Sequence, residues 1–495
     1  MRARGMMIVY VLLGVAMAAG RAAQPGVIGW RGDGSGNFAN ADPPTSFCAT
    51  ENLTWKADLG PGCGAAIIVG KRLFVQAAPN ALVCLDKASG KELWRRTRHA
   101  GNLPATAPAA RLDGLMEEVG AYQRVLRQHS STTDPAVQEA RGRLPKDLAI
   151  PGLDSYGGNF LICTTPCSDG QRVIAVFPTG IAVAYDLEGT LLWSLDVRPF
   201  TARPSTMPMS LAGRWRPIPH FVSSCPVMSQ EGIAVITWGG RIAGIEAASA
   251  KVLWTDLTHA TVGSPVVGRV QGESYVAGSD LFIRRVRDGL RIYEDPHVPS
   301  GDVSVTPVFA DGVFHWVSHA VRVVPGDPPR AQTVWELGIA QLHQIGRTPV
   351  IYRTPRLSGC DDFCSPALVN GQVLYYGLGR LVSVDAATGK VLAQHPSGRS
   401  TVRPLSRGVG KNWAYAGVIR AGGHLMVIHD SGLVKMFPIN ETFAPAKYAA
   451  IPDDVYAQPA CEGPALYIRS LNAVWRFDSP NTGEPDETEP GRPGT

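Results

Sequence analysis

The chain alternates short apolar runs with tight polar turns, and the alternation repeats. The unit is a strand, a turn rich in Gly, Asn, Asp and Ser, and a second strand ending near an acidic residue. Those turn residues tolerate the left-handed backbone that a tight hairpin needs. The pairs are Leu73–Gln76 with Ala81–Asp86, Val173–Phe177 with Ile181–Asp186, Ile233–Trp238 with Arg241–Glu246, and Ser274–Ala277 with Leu281–Val286. Val313–Val317 with Val321–Val324, Val373–Tyr376 with Leu381–Asp385, His424–Ile428 with Leu433–Phe437, and Ala465–Ile468 with Ala473–Phe477 complete the set. A further strand precedes many pairs, as in Gly64–Val69, Cys225–Met228, Ser264–Val267, Thr306–Phe309 and Cys364–Val369. Several of these open on Ser-Pro or Thr-Pro, and proline is tolerated at a strand start. A fourth strand follows and carries a tryptophan, at Trp94, Trp193, Trp254 and Trp335.

Four strands in about 40 residues is the repeat of a propeller blade. Equivalent positions fall at 86, 186, 246, 286, 324, 385, 437 and 477, which predicts an all-β, eight-bladed β-propeller with four-stranded blades. The eighth unit lacks its tryptophan strand, and an orphan copy, Leu53 to Leu59 with Trp55, stands at the front of the chain. The Trp55 strand is therefore expected to complete blade 8 and join the two ends of the chain, leaving no open sheet edge.

Four longer gaps place insertions at about 99–159, 198–224, 338–363 and 396–411, all in the link from one blade to the next. They should lie on one face of the disc. Leu112, Leu115, Met116, Val119, Tyr122 and Leu126 recur at helical spacing, predicting a helix over Ala110–Gln128 in the 99–159 insertion between blades 1 and 2, with a weaker one at Ala136–Leu144. These helices either cap the channel or form a partner-binding lid. Arg214, Trp215 and Arg216 in the second insertion are candidate partner anchors, since exposed Trp and Arg suit interfaces. A buried Trp flanked by solvated arginines is the alternative.

Composition agrees with this picture. There are 54 Gly and 39 Pro in 495 residues, too many for a helical bundle. A net charge of +5 is too weak to suggest nucleic acid as a partner. Arg2 and Arg4, the apolar run Met6–Val15 and small residues through Ala23 read as a signal peptide over 1–23, with an uncleaved anchor as the alternative. Residues 24–480 form the propeller, and no later apolar run reaches the ~18 residues of a membrane span. Residues 481–495 form an acidic, Pro- and Gly-rich tail expected to be disordered. The mature protein is expected to be exported, periplasmic or extracellular, and monomeric.

Cys84-Leu85-Asp86-Lys87-Ala88-Ser89-Gly90-Lys91-Glu92-Leu93-Trp94 resembles the tryptophan-docking repeat of the PQQ-binding-like β-propellers. Val384-Asp385-Ala386-Ala387-Thr388-Gly389 is a second copy whose Trp is replaced by Ala393 or Gln394, and Tyr185-Asp186 with Trp193 is a shortened one. Trp30-Arg31-Gly32-Asp33-Gly34-Ser35-Gly36 resembles the opening of exported members. The family spans quinoprotein alcohol dehydrogenases and non-enzymatic scaffolds of the BamB type. The resemblance implies that Trp55, Asp86, Gly90, Trp94, Asp186, Trp193, Trp254, Trp335, Asp385 and Gly389 serve blade docking rather than chemistry. It also implies a test for catalysis. Family enzymes hold PQQ with Ca²⁺ and carry an adjacent cysteine pair, and this chain has neither a Cys-Cys pair nor a Cys-x-x-Cys-His haem site. No catalytic residue, cofactor or metal is predicted, with PQQ and Ca²⁺ as the alternative. Binding or scaffolding of a protein or carbohydrate at the insertion-bearing face is the expected function, and a PQQ-dependent dehydrogenase of alcohols or sugars is the runner-up.

Seven of the nine cysteines, Cys63, Cys163, Cys167, Cys225, Cys360, Cys364 and Cys461, lie at or before first-strand starts, which line the channel of a propeller. Cys163 with Cys167 and Cys360 with Cys364 could pin loops, and Cys63 with Cys461 could staple the closure. Metal ligation at the channel mouth is the alternative. His315 and His319 read as polar residues about 13 Å apart on one strand, too far to share a metal.

Overall fold

The computed structural model describes residues 28–479 apart from 61, 78–79, 99–117, 119–120, 123–124, 126–133, 144–163, 178–179, 198–223, 239, 259–262, 295–305, 338–363, 378, 397–416 and 445. Eight antiparallel sheets form an eight-bladed β-propeller. Blade 1 consists of Ile67–Val69, Arg72–Ala77, Ala81–Asp86 and Glu92–Thr97. Blades 2 to 6 repeat this order and begin at Cys167–Ser168, Val227–Met228, Val266–Val270, Val308–Ala310 and Ala367–Val369. In each blade the first strand is innermost, and first strands of successive blades touch around the channel.

The strand chemistry follows from that geometry. Second and third strands such as Arg172–Phe177 and Ile181–Asp186 are buried almost throughout, because a blade in the ring is covered on both faces. They therefore read as continuous apolar runs rather than alternating ones. Fourth strands form the rim and bury mainly the tryptophan. A bulge sits where the tryptophan leaves the ladder, between Cys84 and Leu85, Leu191 and Trp193, and Gly244 and Ile245. The bulge turns the indole toward the next blade and leaves the preceding leucine, Leu93, Leu192 or Leu253, exposed.

Closure runs through the chain ends. Leu53–Asp58 pairs antiparallel with Ala473–Asp478, with Leu53 opposite Phe477 and Asp58 opposite Ala473, as the outermost strand of blade 8. Blade 7 departs from the pattern in two ways. Its fourth strand, Lys447–Ala450, has no tryptophan, and a fifth strand, Asn37–Phe38, adds in parallel to its innermost strand at Arg420–Ala421. Two residues are too short to carry a period, so nothing local marks Asn37–Phe38 as a strand.

The weaker predicted helix is present as Pro135–Gly142, and the Asp134 carboxylate accepts from the Ala136 amide at its start. Of the longer one, only Glu118, Ala121, Tyr122 and Val125 are described. All four are helical, and Tyr122 is buried. The rest of that helix, the signal segment, the tail and most of the four insertions lie outside the described residues. One strand assignment is corrected. His315 and His319 belong to two strands, Val313–His315 and His319–Val324, joined by a tight turn in which the Trp316 and His319 rings stack at 4.7 Å. No described helix is long and apolar enough to cross a membrane.

Candidate functional site

The chain itself crosses the centre of the wheel. Residues 28–38 run between first strands on different sides of the channel. Ile28 bridges to Ser168 of blade 2, Gly34 lies against Val266 of blade 4, and the Gly36 carbonyl accepts from the Arg420 amide of blade 7. Trp30 packs beside the cluster of Val266, Phe314 and Trp316. The bend of this segment buries Arg31, which is 1% exposed and has a φ of 58°. Its Nη2 donates to the Val418 carbonyl at 2.5 Å, while Nε and Nη1 make no hydrogen bond. Burial lowers the Arg31 pKa to about 10, against the opposing pull of Cys364 and Asp33. Gly36 has a φ of 68°, which favours glycine, and a Cβ there would also stand 2.4 Å from this guanidinium.

A belt of hydrogen bonds joins the starts of the first strands. The Ala65 amide donates to Thr165 Oγ1 at 2.9 Å, the Thr165 amide to Cys225 Sγ at 3.2 Å, and the Cys225 amide to Ser264 Oγ at 3.3 Å. Further round, the Thr306 amide donates to Ser365 Oγ at 3.1 Å. Each bond leaves one blade and lands on the equivalent residue of the next. The Ser-Pro and Thr-Pro openings are thus explained, since proline has no N–H and the residue before it supplies both donor and acceptor. Sequence reasoning missed this belt, and the repeated Ser-Pro and Thr-Pro dipeptide was the signal that could have found it.

The cysteines take different roles from those expected. Cys167 and Cys461 are free thiols, so neither the Cys163–Cys167 loop bridge nor the Cys63–Cys461 staple forms. The reason is direction: Cys167 packs into the apolar seam between blades 2 and 3, and Cys461 into that between blades 7 and 8. Burial pushes the Cys461 thiol up to about 12 and Cys167 higher still, so both stay protonated and inert. Cys225 belongs to the belt, and burial raises its pKa against the hydrogen bonds from Ser264 and Thr165. Cys63 is half-buried and Cys364 fully buried near Arg31, while Cys163, Cys360, Arg214, Trp215 and Arg216 lie outside the described residues. Among the described residues, no three His, Cys, Asp or Glu side chains come together as metal ligands. Among the described residues, the belt offers hydroxyls, amides and a thiol, with the Arg31 guanidinium and the Asp33 carboxylate on the segment that crosses it.

The seams between blades have a repeated geometry. Trp55 of blade 8 donates from Nε1 to the Lys87 carbonyl of blade 1, and its ring covers Gly90. Trp94 donates to Leu187 over Gly189, Trp193 to Ala247, Trp254 to Val286 over Gly289, and Trp335 to Ala386 over Gly389. The turn glycines have positive φ, and a Cβ at Gly90 would meet the Trp55 ring at 2.6 Å. The aspartates shape these turns. Asp86 accepts from the Ser89 amide and hydroxyl, Asp186 from the Thr190 amide, and Asp385 from the Thr388 amide and hydroxyl. The bonds from Ser89 and Thr388 hold the Asp86 and Asp385 pKa values low. Sequence reasoning missed one cluster at the seam of blades 3 and 4. Arg284, fully buried, bonds Asp256 at 2.7 Å and Asp280 at 3.0 Å, and Arg291 grips Asp256 at 2.8 Å. Burial pushes the Asp256 pKa up, but the bonds from Arg291 and the charge of Arg284 outweigh it and leave it low.

The model of the family described as outer membrane protein assembly factor BamB matches residues 45–116 and 159–335. No curated protein matches the sequence. Among solved structures, a europium-containing methanol dehydrogenase is 12% identical, with a TM-score of 0.53, over 92% of this chain and 91% of that one. The quinohemoprotein alcohol dehydrogenase of Comamonas testosteroni is 11% identical, with a TM-score of 0.51, over 92% and 82%. BamB of Moraxella catarrhalis is 9% identical, with a TM-score of 0.49, over 87% and 98%. At these identities the likeness is one of fold alone.

Proposed function

The chain belongs to the family described as outer membrane protein assembly factor BamB, within the PQQ-binding-like propellers, and from that membership we propose an exported, non-catalytic module that binds or scaffolds a partner. The partner is a protein or a carbohydrate, held on the face that carries the insertions. The observation that supports this reading is the segment that crosses the channel. Residues 28–38 cross between the first strands of blades 2, 4 and 7, and bury the Arg31 cation against the Val418 carbonyl. A rigid ring with its centre crossed by its own chain offers its faces and rim for recognition.

The test is purification of the tagged protein from the native envelope after mild crosslinking, beside addition of PQQ and Ca²⁺ to the pure protein. A stoichiometric protein or glycan partner, with no quinone absorbance change, is expected. Dye reduction by alcohols or sugars in the presence of PQQ and Ca²⁺ would reverse the assignment. Cell fractionation should place the protein outside the cytoplasm.

A further inference from the structure

The seam between blades 6 and 7 keeps the bulge and the strand-end amide bond of the filled seams, lacks their indole, and has Phe443 rather than a glycine in the receiving turn. In blade 6 the ladder between Arg380–Asp385 and Val391–Pro396 has the same bulge, between Ser383 and Val384, and Ala393 pairs with Ser383 as Trp94 pairs with Cys84. The residue before it, Leu392, is exposed as Leu93 and Leu253 are. Ala393 therefore occupies the indole position.

The receiving side on blade 7 is also in register. In the filled seams the indole acceptor is the carbonyl of the residue just after the third strand, such as Lys87, Ala247 or Ala386. On blade 7 that residue is Ile439, after Leu433–Pro438. The Ile439 amide donates to Gly423, just as the Lys87, Ala247 and Ala386 amides donate to Lys71, Gly232 and Gly371. Between Ala393 and Ile439 lies a cavity of about 410 Å³, within the roughly 300–1,000 Å³ of small-ligand sites. Val369, Ser383 and His395 line it with them. Phe443, at a φ of 51°, closes one side with its ring edge-on to His395 at 5.0 Å. Asn440 holds that loop by accepting from the Thr442 and Ala444 amides.

We propose that this seam is a binding site for an indole ring from outside the chain, entering at the Ala393 position beside Phe443, with its N–H donated to the Ile439 carbonyl. The ligand class is a planar aromatic with a ring N–H donor. It is presented as free indole compounds or as a tryptophan side chain, and the site is independent of the partner face proposed above. Flat stacking in a half-buried slot supplies most of the attraction, and the N–H selects the indole among aromatics.

The probes are N-acetyltryptophanamide, its 1-methylindole analogue, and a tryptophan-containing peptide, titrated into the full-length protein by ligand-observed NMR. Saturable binding of N-acetyltryptophanamide is expected, about three- to tenfold weaker for the methylated ring, which has lost one hydrogen bond. Tighter binding of the peptide than of the free amide identifies a protein source, and equal binding a small-molecule source. Ala393→Trp should abolish binding by filling the slot from within, with circular dichroism unchanged. If that variant does not fold, Ala393→Leu carries the same test. Equal binding of the methylated analogue, unchanged binding to the folded variant, or no saturation at millimolar probe would each overturn the proposal.

Discussion

On one side of blade 6, the Trp335 ring lies over Gly389 and donates to the Ala386 carbonyl at 2.8 Å. On its other side, Ala393 stands at the same bulge and faces blade 7 across a cavity closed partly by Phe443. The bulge is shared, but the side chain at it and the receiving turn both differ, glycine on blade 6 and Phe443 on blade 7. The comparison separates two jobs that the repeat usually merges. The bulge and the turn place a slot between blades, and the indole fills it. Where the filler is missing, a cavity of about 410 Å³ stands beside Ala393.

That contrast can be broken most strongly on the filled side. Trp335→Ala should cost about 3–5 kcal/mol in denaturant unfolding, the usual range for removing a buried tryptophan. A loss below about 1 kcal/mol would mean that the filled seam is no more dependent on its ring than the open one.

Acid should act on the same seam. His315 lies 6.4 Å from the Trp335 ring, and its Nδ1 makes no hydrogen bond. Burial lowers its pKa from 6.5 to about 4, with Asp311 opposing and Arg322 assisting. Because the folded pKa lies below the unfolded one, stability is fully present above pH 6.5 and falls away as the pH drops toward 4. The loss should reach up to about 3 kcal/mol. Urea midpoints between pH 7 and 4 should show this slope in the wild type, and His315→Leu should flatten it.

Ala393→Trp sharpens the comparison from the other side. Filling a pre-formed slot should add about 1 kcal/mol, as cavity filling commonly does. A net loss would show that Phe443 cannot give way and that the seam is already packed. The smallest effect concerns charge. Arg72 and Glu188 bridge blades 1 and 2 at 2.8 Å, but both are partly exposed. Arg72→Ala should change the unfolding free energy by no more than about 0.5 kcal/mol, because Trp94 and Gly189 already hold that seam.

Much of this was legible along the chain. The number of blades, the closing strand at Trp55 and the helix near residue 136 all follow from local period, turn chemistry and helix-start residues. The turn glycines were legible too, since Gly90 and Gly389 follow their aspartates at fixed spacing, but not that each lies beneath the indole of the preceding blade. The replacement of a tryptophan by Ala393 could be read from the repeat, but not the consequence. Whether the gap collapses depends on a loop of the next blade, and that loop places Phe443 and Ile439 around it.

Sequence alone decided what repeats: strands, turns and their order, each set by residues a few positions apart. Tertiary structure alone decided which residues meet across the ring. It took Asn37–Phe38 to Arg420–Ala421 and buried Arg31 against Val418, contacts spanning nearly four hundred residues. It also turned Cys167 and Cys461 into separate seams rather than toward partners. The physical reason is that a period specifies each blade's own hydrogen bonds, while closing eight blades around an axis specifies the distances between them. Pockets, buried charges and thiol pairings depend on those distances.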